Sequence, residues 1–432
     1  MSIVTRRSAL KSIAVAAATI QIFDPAYLLA EAAGLAALTS EQDLFLEELI
    51  KRGSAFFWDQ ASPRTGQVLD RAAAEGSEKR RIASVAATGF GLTALCIADQ
   101  QRFHGAAEIR TRVRDTLKFH LEKAPNEHGF FYHFMDQETG ARQWKCEVSS
   151  IDTALLLCGA LTCRAHFRGD GIEREIRALA TQLYERVDWP WMLDGGATLS
   201  MGWKPESGFI KARWSTYSEL MMLYLLGIGS PTHPLDARVW HAFARPFVSY
   251  DGFRYISDMA PLFVHQFSHA WFDFRQKHDR YADYFANSIT ATKAHRAFCL
   301  DRGAPYSADY WGVSASDSQQ GYTAWGGPPL LGKWDGSVVP CAAAGSLPFL
   351  PQECLHVLMN LRSKYPQAWG RYGFVDTFNP GDHWYDKDVL GIDQGISVLM
   401  AENLRTNFVW ETFARNPEVE RAMKLCGFTA NG

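Results

Sequence analysis

The chain has 432 residues, of which 47% are hydrophobic and 21% charged, a composition that indicates a folded globular protein rather than a disordered one. The formal net charge is −3, and basic residues do not alternate with aromatic ones at regular spacing, so we expect no nucleic-acid partner. Aromatic residues reach 13% and include 14 Trp, which is enough for some rings to stack on sugars as well as fill a core.

The first segment of the chain has the pattern of an export signal. Thr5 to Lys11 contains paired arginines, residues 12–23 are largely apolar, and residues 30–32 read Ala-Glu-Ala, a cleavage option. The arginine pair is typical of twin-arginine export, although Ala9 stands where such signals usually have Phe. We predict a signal segment over residues 1–32 and a periplasmic or secreted mature protein, with an N-terminal anchor as the alternative.

Later apolar runs are short, and the cysteines are scattered. No run beyond the signal segment reaches the roughly 20 residues that span a bilayer, so no membrane contact is expected after signal removal. The eight cysteines form no Cys-x-x-Cys and no Cys/His set at zinc spacing. Several, such as Cys96 and Cys158, lie in apolar helical runs. We expect free, buried thiols, which fits folding in a reducing cytosol before export.

From about residue 40 onward, apolar positions recur at helical spacing, and loops rich in Gly, Pro and aromatics separate them. Strand patterns are sparse and are limited to residues 129–136 and 252–256. About twelve sequential helices without polar linkers favour one domain, residues 33–432, built as a closed ring of paired helices. The first predicted helix begins at Ser40, and the others cover residues 82–102, 105–122, 150–167, 171–187, 215–228, 234–245, 262–277, 281–302, 351–363, 395–413 and 415–425.

Three long loops mix aromatic, acidic and amide residues: residues 194–209, 311–329 and 371–386. Long ordered loops of this kind usually carry functional sites on a rigid frame. Ordinary loop packing is the alternative for each of them.

Four acidic residues stand where an exposed helix face would not put them. Glu219 precedes a very apolar run, where a desolvated carboxyl group would have a raised pKa suited to a general acid, although a glutamate favouring the helix dipole is the alternative. Asp152 could contact substrate or water, or cap its helix. Asp393 precedes an apolar helix, and Glu402 lies inside that helix, where it either faces a cavity or pairs with Arg405.

His265 and His269 are four residues apart, on one face of a predicted helix, which is compatible with a metal pair. No third ligand is evident, so sugar contacts or core packing are favoured and we expect no metal and no cofactor. The chain has no Gly-x-Ser-x-Gly, Walker or dinucleotide-binding motif, which excludes the corresponding serine-hydrolase and nucleotide-binding classes.

Six ordered strings stand out along the chain: FFWDQASPRTGQVLDR (56–71), SSIDTALLL (149–157), GWKPESGF (202–209), GIGSPTHP (227–234), APLFVHQFSHAWFDFR (260–275) and GIDQG (391–395). Together they resemble the glucoamylase-like domain family over about residues 45 to 427. The resemblance implies an all-α fold, an (α/α)6 toroid or barrel with a central cavity and with long loops and a few short β-hairpins at the cleft end. It also implies glycoside hydrolysis, because the family includes endo-β-1,2-glucanases, which are thought to be inverting.

The resulting hypothesis is a monomeric, exported hydrolase of a β-1,2-linked oligosaccharide or polysaccharide. Glu219 would protonate the glycosidic oxygen, and Asp152, Asp393 or Glu402 would help to activate water. A non-catalytic periplasmic glycan-binding protein and a hydrolase of α-linked glucans are the alternatives. The residues expected to contact substrate are Arg71, Trp203, Arg213, Trp214, His265, His269, Trp271 and Trp384.

Overall fold

The computed structural model describes residues 38–258, 261–328 and 334–431. Thr39–Gly432 form one compact unit. The predicted signal segment, residues 1–32, lies outside the described residues. Within the described residues, no helix combines the length and the apolarity needed to cross a bilayer.

Helices dominate the fold, as predicted, and short strands account for most of the remaining regular structure. In the described part of the chain there are thirteen α-helices: α1 Ser40–Asp59, α2 Val85–Gln100, α3 Ala106–Glu122, α4 Ser150–His166, α5 Ile172–Glu185, α6 Met221–Gly229, α7 Phe267–Trp271, α8 Tyr284–Asp301, α9 Pro340–Ala344, α10 Pro351–Lys364, α11 Gly391–Thr406, α12 Phe408–Phe413 and α13 Pro417–Leu425. Four 3-10 turns accompany them: Pro190–Leu193, Ala237–His241, Leu262–His265 and Pro366–Ala368.

Polar side chains mark where several helices begin. Thr39 and Gln42 form a capping box at the start of α1, each side chain bonding the other residue's backbone N–H. Ser84 accepts a hydrogen bond from the backbone of Ala87 at the start of α2, and Ser149 does the same for Asp152 at the start of α4. These hydroxyls satisfy backbone N–H groups that have no partner inside the helix.

Three predicted helices are shorter in the structure than in the prediction. The 215–228 prediction was wrong at its start, because Thr216 and Tyr217 pair with Ala244 in an extended stretch and the helix begins only at Met221. The same pairing limits the 234–245 prediction to one 3-10 turn. The 262–277 prediction is split into a 3-10 turn and α7, which ends where Phe272 becomes extended. In each case backbone groups bond a distant segment instead of their own helix.

The strands form small antiparallel sheets between helices rather than one large sheet. The predicted strand at 252–256 is confirmed as Phe253–Ile256, paired with Phe247–Tyr250, whereas residues 129–136 contribute to two different sheets. The remaining strands are Asn126–Glu127 with Phe130–Phe131, Ile82–Ser84 with Phe134–Asp136, Arg71–Ala73 with Asp388–Leu390, Val148–Ser149 with Gly202–Lys204 and Gly208–Phe209, Lys277–His278 with Thr429–Ala430, Ala315–Ser316 with Thr323–Ala324, Trp369–Gly370 with Gly373–Phe374, and Phe378–Asn379 with Trp384–Tyr385.

Glycines let the central helices approach closely. A Cβ atom at Gly89 of α2 would lie 2.2 Å from the carbonyl oxygen of Leu155 in α4, and one at Gly159 of α4 would lie 2.1 Å from the carbonyl oxygen of Gly89. On the other side of α2, a Cβ atom at Gly395 of α11 would lie 2.3 Å from the Phe90 ring. Helices α4, α2 and α11 therefore pack as neighbours, at distances that larger residues would prevent.

All eight cysteines are buried and free, as predicted. Cys96 of α2 and Cys163 of α4 lie at the contact between these two helices, where the Cys96 thiol donates to the Cys163 sulfur. Burial raises the pKa of the Cys96 thiol well above its usual range, with a further contribution from the hydrogen bond to Cys163. The Cys96 thiol therefore stays protonated, and it fills the core as a small apolar group.

Candidate active site

Three of the four predicted catalytic carboxylates lie where α-helices begin. Asp152 is in the first turn of α4, Asp393 is in the first turn of α11, and Glu219 lies in a turn two residues before α6. Backbone N–H groups at helix starts favour negative charge, so these positions suit ionisable carboxylates.

Short strand pairings connect the chain segments that precede α2, α4 and α11. Leu69 pairs with Ala83, just before α2, and Arg71–Ala73 pairs with Asp388–Leu390, just before α11. Tyr132 pairs with Val148, just before α4. Because α2 also packs against α4 and α11, these pairings bring Asp152 and Asp393 to the same end of the helix group.

Glu219 is half-buried as a residue, and protein surrounds its carboxyl group. Burial raises its pKa from 4.5 to about 7, and the negative charge of Asp152 adds to this shift. A carboxyl group that holds its proton at neutral pH can serve as a general acid.

Asp152 is only 7% exposed and has two close side-chain neighbours. The hydroxyl of Ser149 donates to Asp152 Oδ2, and His133 Nε2 lies 3.6 Å from Asp152 Oδ1. Both contacts hold the carboxylate in place and stabilise its negative charge. Asp152 thus combines the helix capping and the site contact that sequence reasoning left as alternatives.

His133 lies between two carboxylates. Its Nδ1 atom is 3.2 Å from Glu147 Oε1, opposite the contact with Asp152. Burial alone would lower the pKa of His133, but Asp152 and Glu147 outweigh it and raise the pKa to about 9. The hydrogen bond to His133 in turn lowers the pKa of Glu147 to about 2, and Lys204 Nζ lies 3.9 Å from that carboxylate. His133 and the two carboxylates on either side of it, Asp152 and Glu147, form a charged triad at neutral pH.

Arg71 joins a second group of carboxylates. Its guanidinium contacts Asp70 Oδ2 at 3.0 Å and Asp317 Oδ2 at 2.5 Å. Burial opposes its charge, but these two carboxylates raise its pKa further above the ordinary value. Because the charge of Asp70 also influences His133, the two acidic groups are neighbours. Arg71 thus connects Asp70 and Asp317, and its predicted contact with substrate stays a prediction.

Asp393 belongs to this second group and is almost fully buried, 6% exposed. Burial raises its pKa to about 6, and the charges of Asp317 and Asp70 act in the same direction. Asp393 lines one small cavity together with Asp376 and Cys341. Asp393 can therefore be ionised above pH 6 and can accept a proton there, which a general base requires.

Three further carboxylates converge beside Asp393. The carboxylate oxygens of Asp317, Asp376 and Asp386 lie within 4.8 Å of one another. Among the described residues, this is the one group of three acidic, His or Cys side chains close enough to share a metal ion. Oxygen ligands of this kind suit a hard cation such as Ca²⁺. Arg71 already supplies a counter-charge to Asp317, and the Asp317 backbone N–H donates to Asp376 Oδ2 at 2.7 Å. We assign no metal to this group.

Glu402 is separated from the other predicted catalytic residues. It lies nine positions after Asp393 in α11, which is about 13 Å along the helix axis. Gln101 donates to its Oε1 at 3.0 Å, and Thr406 does so at 2.7 Å. Glu402 is fully buried, and burial raises its pKa. Its contacts are those of a buried structural carboxyl group.

Trp203 and Trp384 are both half-buried. They lie in short strands within the 194–209 and 371–386 loops, respectively. Trp214 is more enclosed and donates from Nε1 to Ser150 Oγ at 2.9 Å, next to the start of α4. The Arg213 guanidinium donates to the carbonyl oxygens of Leu193 and Thr198. Arg213 therefore holds the 194–209 loop, while the two exposed indole faces remain candidates for sugar contact.

Three other predicted substrate contacts are core residues, contrary to expectation. Trp271 is fully buried, and its Nε1 donates to Thr93 Oγ1 at 3.0 Å. His265 and His269 are 2% and 1% exposed, and burial lowers the pKa of each to about 3, so both rings are neutral. Because α7 ends at Trp271 and turns inward, these side chains pack among aromatic rings instead of facing a cleft.

Sequence reasoning missed the residues that connect the carboxylates. His133 lies in a segment that was interpreted only as a strand, and Asp70 lies in a motif quoted only for its resemblance. Asp317, Asp376 and Asp386, however, all lie in loops 311–329 and 371–386, which were singled out for their mixed composition. The composition indicated the correct loops, but no local pattern identified which acidic residues meet.

Comparison with known proteins supports the resemblance read from the sequence. Residues 211–417, nearly half of the chain, match the family model described as "Putative glucoamylase". The matched region holds Glu219, Asp376 and Asp393. The glucoamylase-like resemblance is thus confirmed.

The chain is similar to a protein of Parabacteroides distasonis described as exo beta-1,2-glucooligosaccharide sophorohydrolase (non-reducing end). The two are 26% identical over 426 residues, which cover 90% of this chain and 58% of that protein. The chain therefore spans little more than half the length of this relative.

Two solved structures cover nearly the whole of both chains. The endo-β-1,2-glucanase from Chitinophaga pinensis, in complex with sophorotriose and glucose, is 27% identical, with a TM-score of 0.84 over 91% of this chain and 99% of that one. A protein from Bacteroides fragilis with the same family description is 29% identical, with a TM-score of 0.85 over 92% of this chain and 99% of that one.

Proposed function

We propose that this protein is an exported glycoside hydrolase that cleaves a β-1,2-linked glucan by general acid/base catalysis with carboxylates. The observation that carries the proposal is the contrast between Glu219 and the second acidic group. Glu219 keeps its proton near neutral pH, while Asp393 is ionised above about pH 6. Glycosidic cleavage needs one carboxyl group in each state.

Glu219 is the general acid of the proposed reaction. Its pKa of about 7 leaves a large protonated fraction at pH 6 to 7. Its proton would pass to the glycosidic oxygen as the bond to the sugar carbon breaks. The neighbouring negative charge of Asp152 helps to retain that proton until the leaving oxygen accepts it.

Asp393 is the proposed base that activates water. Asp152 is already engaged by Ser149 and His133, and Glu402 by Gln101 and Thr406. Asp393 lies beside Asp317 and the Arg71 that contacts it, and its pKa of about 6 lets it accept a proton above that pH. The attacking water would then approach the sugar from the face opposite Glu219, with inversion at the anomeric carbon.

The relatives support the substrate class. The similar proteins from Parabacteroides distasonis and Chitinophaga pinensis are described as acting on β-1,2-linked glucans. In this chain the half-buried rings of Trp203 and Trp384 offer faces for sugar stacking, and Arg71 offers a charged donor beside the carboxylates. No cofactor takes part in the proposed reaction.

The finer architecture and the cellular location complete the proposal. We infer that the helices close into an (α/α)6 toroid, with the helix starts of α4, α6 and α11 at its cleft end. The mature protein, residues 33–432, would be a monomer, delivered to the periplasm or the medium by twin-arginine export.

The test is reducing-sugar release from β-1,2-, β-1,3-, β-1,4- and α-linked glucans by residues 33–432. We compare the wild type with Glu219→Gln, which keeps the size of the acid but cannot supply its proton. Glu411→Gln is the matched control, because Glu411 is exposed on α12. We expect release from the β-1,2-linked glucan only, lowered about 10²- to 10⁴-fold in Glu219→Gln and unaltered in the control.

Each other outcome identifies an alternative. Release from an α-linked glucan alone would replace the proposed substrate class. Oligosaccharide binding without release, equal in the wild type and in Glu219→Gln, would indicate a glycan-binding protein. Full activity of Glu219→Gln on the β-1,2-linked glucan would overturn the acid assignment while leaving the substrate class intact.

A further inference from the structure

Asp376 lies next to the proposed base, Asp393, and its carboxyl group has no role in the proposed reaction. Asp376 is 3% exposed, and its Oδ1 atom receives no hydrogen bond from an N–H or O–H group among the described residues. The same holds for Oδ2 of Asp393. The two carboxyl groups lie within hydrogen-bonding reach of each other. Two ionised carboxylates at such a distance would repel each other, so one proton between them relieves the repulsion and partners both groups.

The backbone on both sides holds Asp376 in position. Its N–H donates to the carbonyl oxygen of Asp388, in the strand that precedes α11, at 3.0 Å. Its Oδ2 accepts the backbone N–H of Asp317 at 2.7 Å. Asp376 is thus fixed between the 311–329 loop and the strand that leads to Asp393, with one oxygen engaged and the other left for its neighbour.

The pair also borders a very small cavity. A space of about 10 Å³ is lined by Asp376 and Asp393 together with Cys341 and Ser397. That volume is at the lower limit for a single water molecule. Bulk water therefore does not solvate the two carboxyl groups, which increases the effect of each charge on the other. The titratable and charged groups that face the pair are Asp70, Arg71, Asp317, Tyr322, Cys341 and Asp386.

We propose that Asp376 is a positioning residue for Asp393: its carboxyl group keeps a proton at neutral pH and donates it in a hydrogen bond to the Asp393 carboxylate. This inference rests on the proposed function, in which Asp393 activates water. The hydrogen bond fixes the orientation of Asp393 and favours its ionised form, so that the base is available near neutral pH.

The electrostatic surroundings agree on which partner holds the proton. Burial and the charge of Asp393 raise the pKa of Asp376 well above its ordinary value. Burial also raises the pKa of Asp393, but the hydrogen bond from Asp376 opposes that shift, and the result is about 6. Arg71 contacts Asp317, which is another neighbour of Asp393. Asp376, by contrast, accepts a hydrogen bond from a neutral donor, the backbone N–H of Asp317. Asp376 is accordingly the protonated member of the pair.

Two substitutions at Asp376 separate a hydrogen-bond donor from a carboxylate. Asn at position 376 still donates to Asp393 but cannot ionise, whereas Ala cannot donate. For Asp376→Ala we expect kcat on β-1,2-glucooligosaccharides to fall about 10- to 100-fold, the effect of one hydrogen bond to a charged group. KM should stay within about threefold, and the acidic limb of kcat/KM should move to higher pH by about one pH unit. Asp376→Asn should restore most of kcat and the original acidic limb.

An activity-independent measurement keeps this inference separate from the proposed function. In infrared spectra at pH 7.5, we compare Glu219→Gln with Glu219→Gln/Asp376→Asn, so that Glu219 contributes no band. The C=O stretching band of protonated, buried carboxyl groups should be stronger in the first than in the second, whereas any contribution of Glu402 is the same in both. If the wild type hydrolyses no glucan, the function fails while this band still reports on the proton.

Three results would overturn the inference. A protonated-carboxyl band of equal intensity in the two variants would show that Asp376 does not hold the proton. Equal loss of kcat in the Asn and Ala variants, with folding intact by circular dichroism, would mean that the carboxylate itself is required. Unaltered kcat and pH dependence in Asp376→Ala would mean that Asp393 needs no such partner.

Discussion

His133 Nε2 lies 3.6 Å from Asp152 Oδ1, and the same ring contacts Glu147 through Nδ1. The imidazolium therefore compensates the carboxylate that raises the pKa of the proposed acid, Glu219. This contact connects His133, the residue just before the strand Phe134–Asp136, to the start of α4. The protonation of Glu219 should therefore depend on His133 as well as on Asp152.

Replacing His133 with Gln tests this dependence. Without the positive charge, Asp152 is uncompensated, the pKa of Glu219 rises, and the basic limb of kcat/KM moves to higher pH. A basic limb that stays in place would show that His133 does not influence Glu219. Phe134, which stacks on His133 at 3.8 Å, offers a control as Phe134→Leu, since it carries no charge.

The stability contribution of His133 also has a predictable pH dependence. Its folded-state pKa is about 9, above the ordinary 6.5, so its stabilisation is fully present below about pH 6.5 and is lost as the pH rises through 9. In urea unfolding at pH 6, His133→Gln should lower the free energy of unfolding by about 1–2 kcal/mol, and the difference should shrink by pH 10. A difference that is constant across this range would contradict the charged triad.

The two pKa values at the site predict a narrow pH optimum. Asp393 must be ionised, which occurs above about pH 6, and Glu219 must be protonated, which occurs below about pH 7. The profile of kcat/KM should therefore be bell-shaped with a maximum between these values. Initial rates from pH 4 to 9 measure it. A flat profile from pH 4 to 8 would contradict the assignment of both roles.

Trp271 should affect stability rather than catalysis. Its ring is fully buried against Phe90, and its N–H donates to Thr93. Trp271→Phe should lower the free energy of unfolding by about 1–3 kcal/mol, because Thr93 loses its partner and a small cavity opens. KM should remain within about twofold, whereas Trp203→Ala should raise KM severalfold if its half-buried face binds sugar. A large increase of KM in Trp271→Phe would return Trp271 to the substrate site.

The α2–α4 contact provides a matched pair of glycine substitutions. Ala at position 89 would bring its Cβ to 2.2 Å from a backbone oxygen of α4, so we expect a loss of roughly 3 kcal/mol. Gly105, before α3, has a φ of −63° and open space around its Cα, so Gly105→Ala should change stability by less than about 0.5 kcal/mol. Thermal unfolding of both variants measures the difference, and equal effects would contradict the close helix approach.

Local patterns in the sequence determined much of the fold. Ser84 and Ser149 mark helix starts through side-chain caps, and the apolar periodicity of α2, α4 and α8 places those helices within a few residues. The prediction failed around Glu219, where Tyr217 bonds Ala244 instead of continuing a helix. Hydrogen bonds within a helix join residues four apart and leave a periodic trace, but a bond to a distant segment leaves none.

In the candidate active site, too, some features follow from local sequence and others only from contacts between distant segments. The sequence by itself determined that Glu219, Asp152 and Asp393 stand at the borders of apolar helices, and that the loops at 311–329 and 371–386 carry clustered polar residues. Only the tertiary structure decided that His133 joins Asp152, that Asp376 meets Asp393, and that Glu402, His269 and Trp271 are buried away from them. The reason is physical: the pKa of a carboxyl group depends on burial and on charges a few ångströms away, and these neighbours come from segments far apart in the chain.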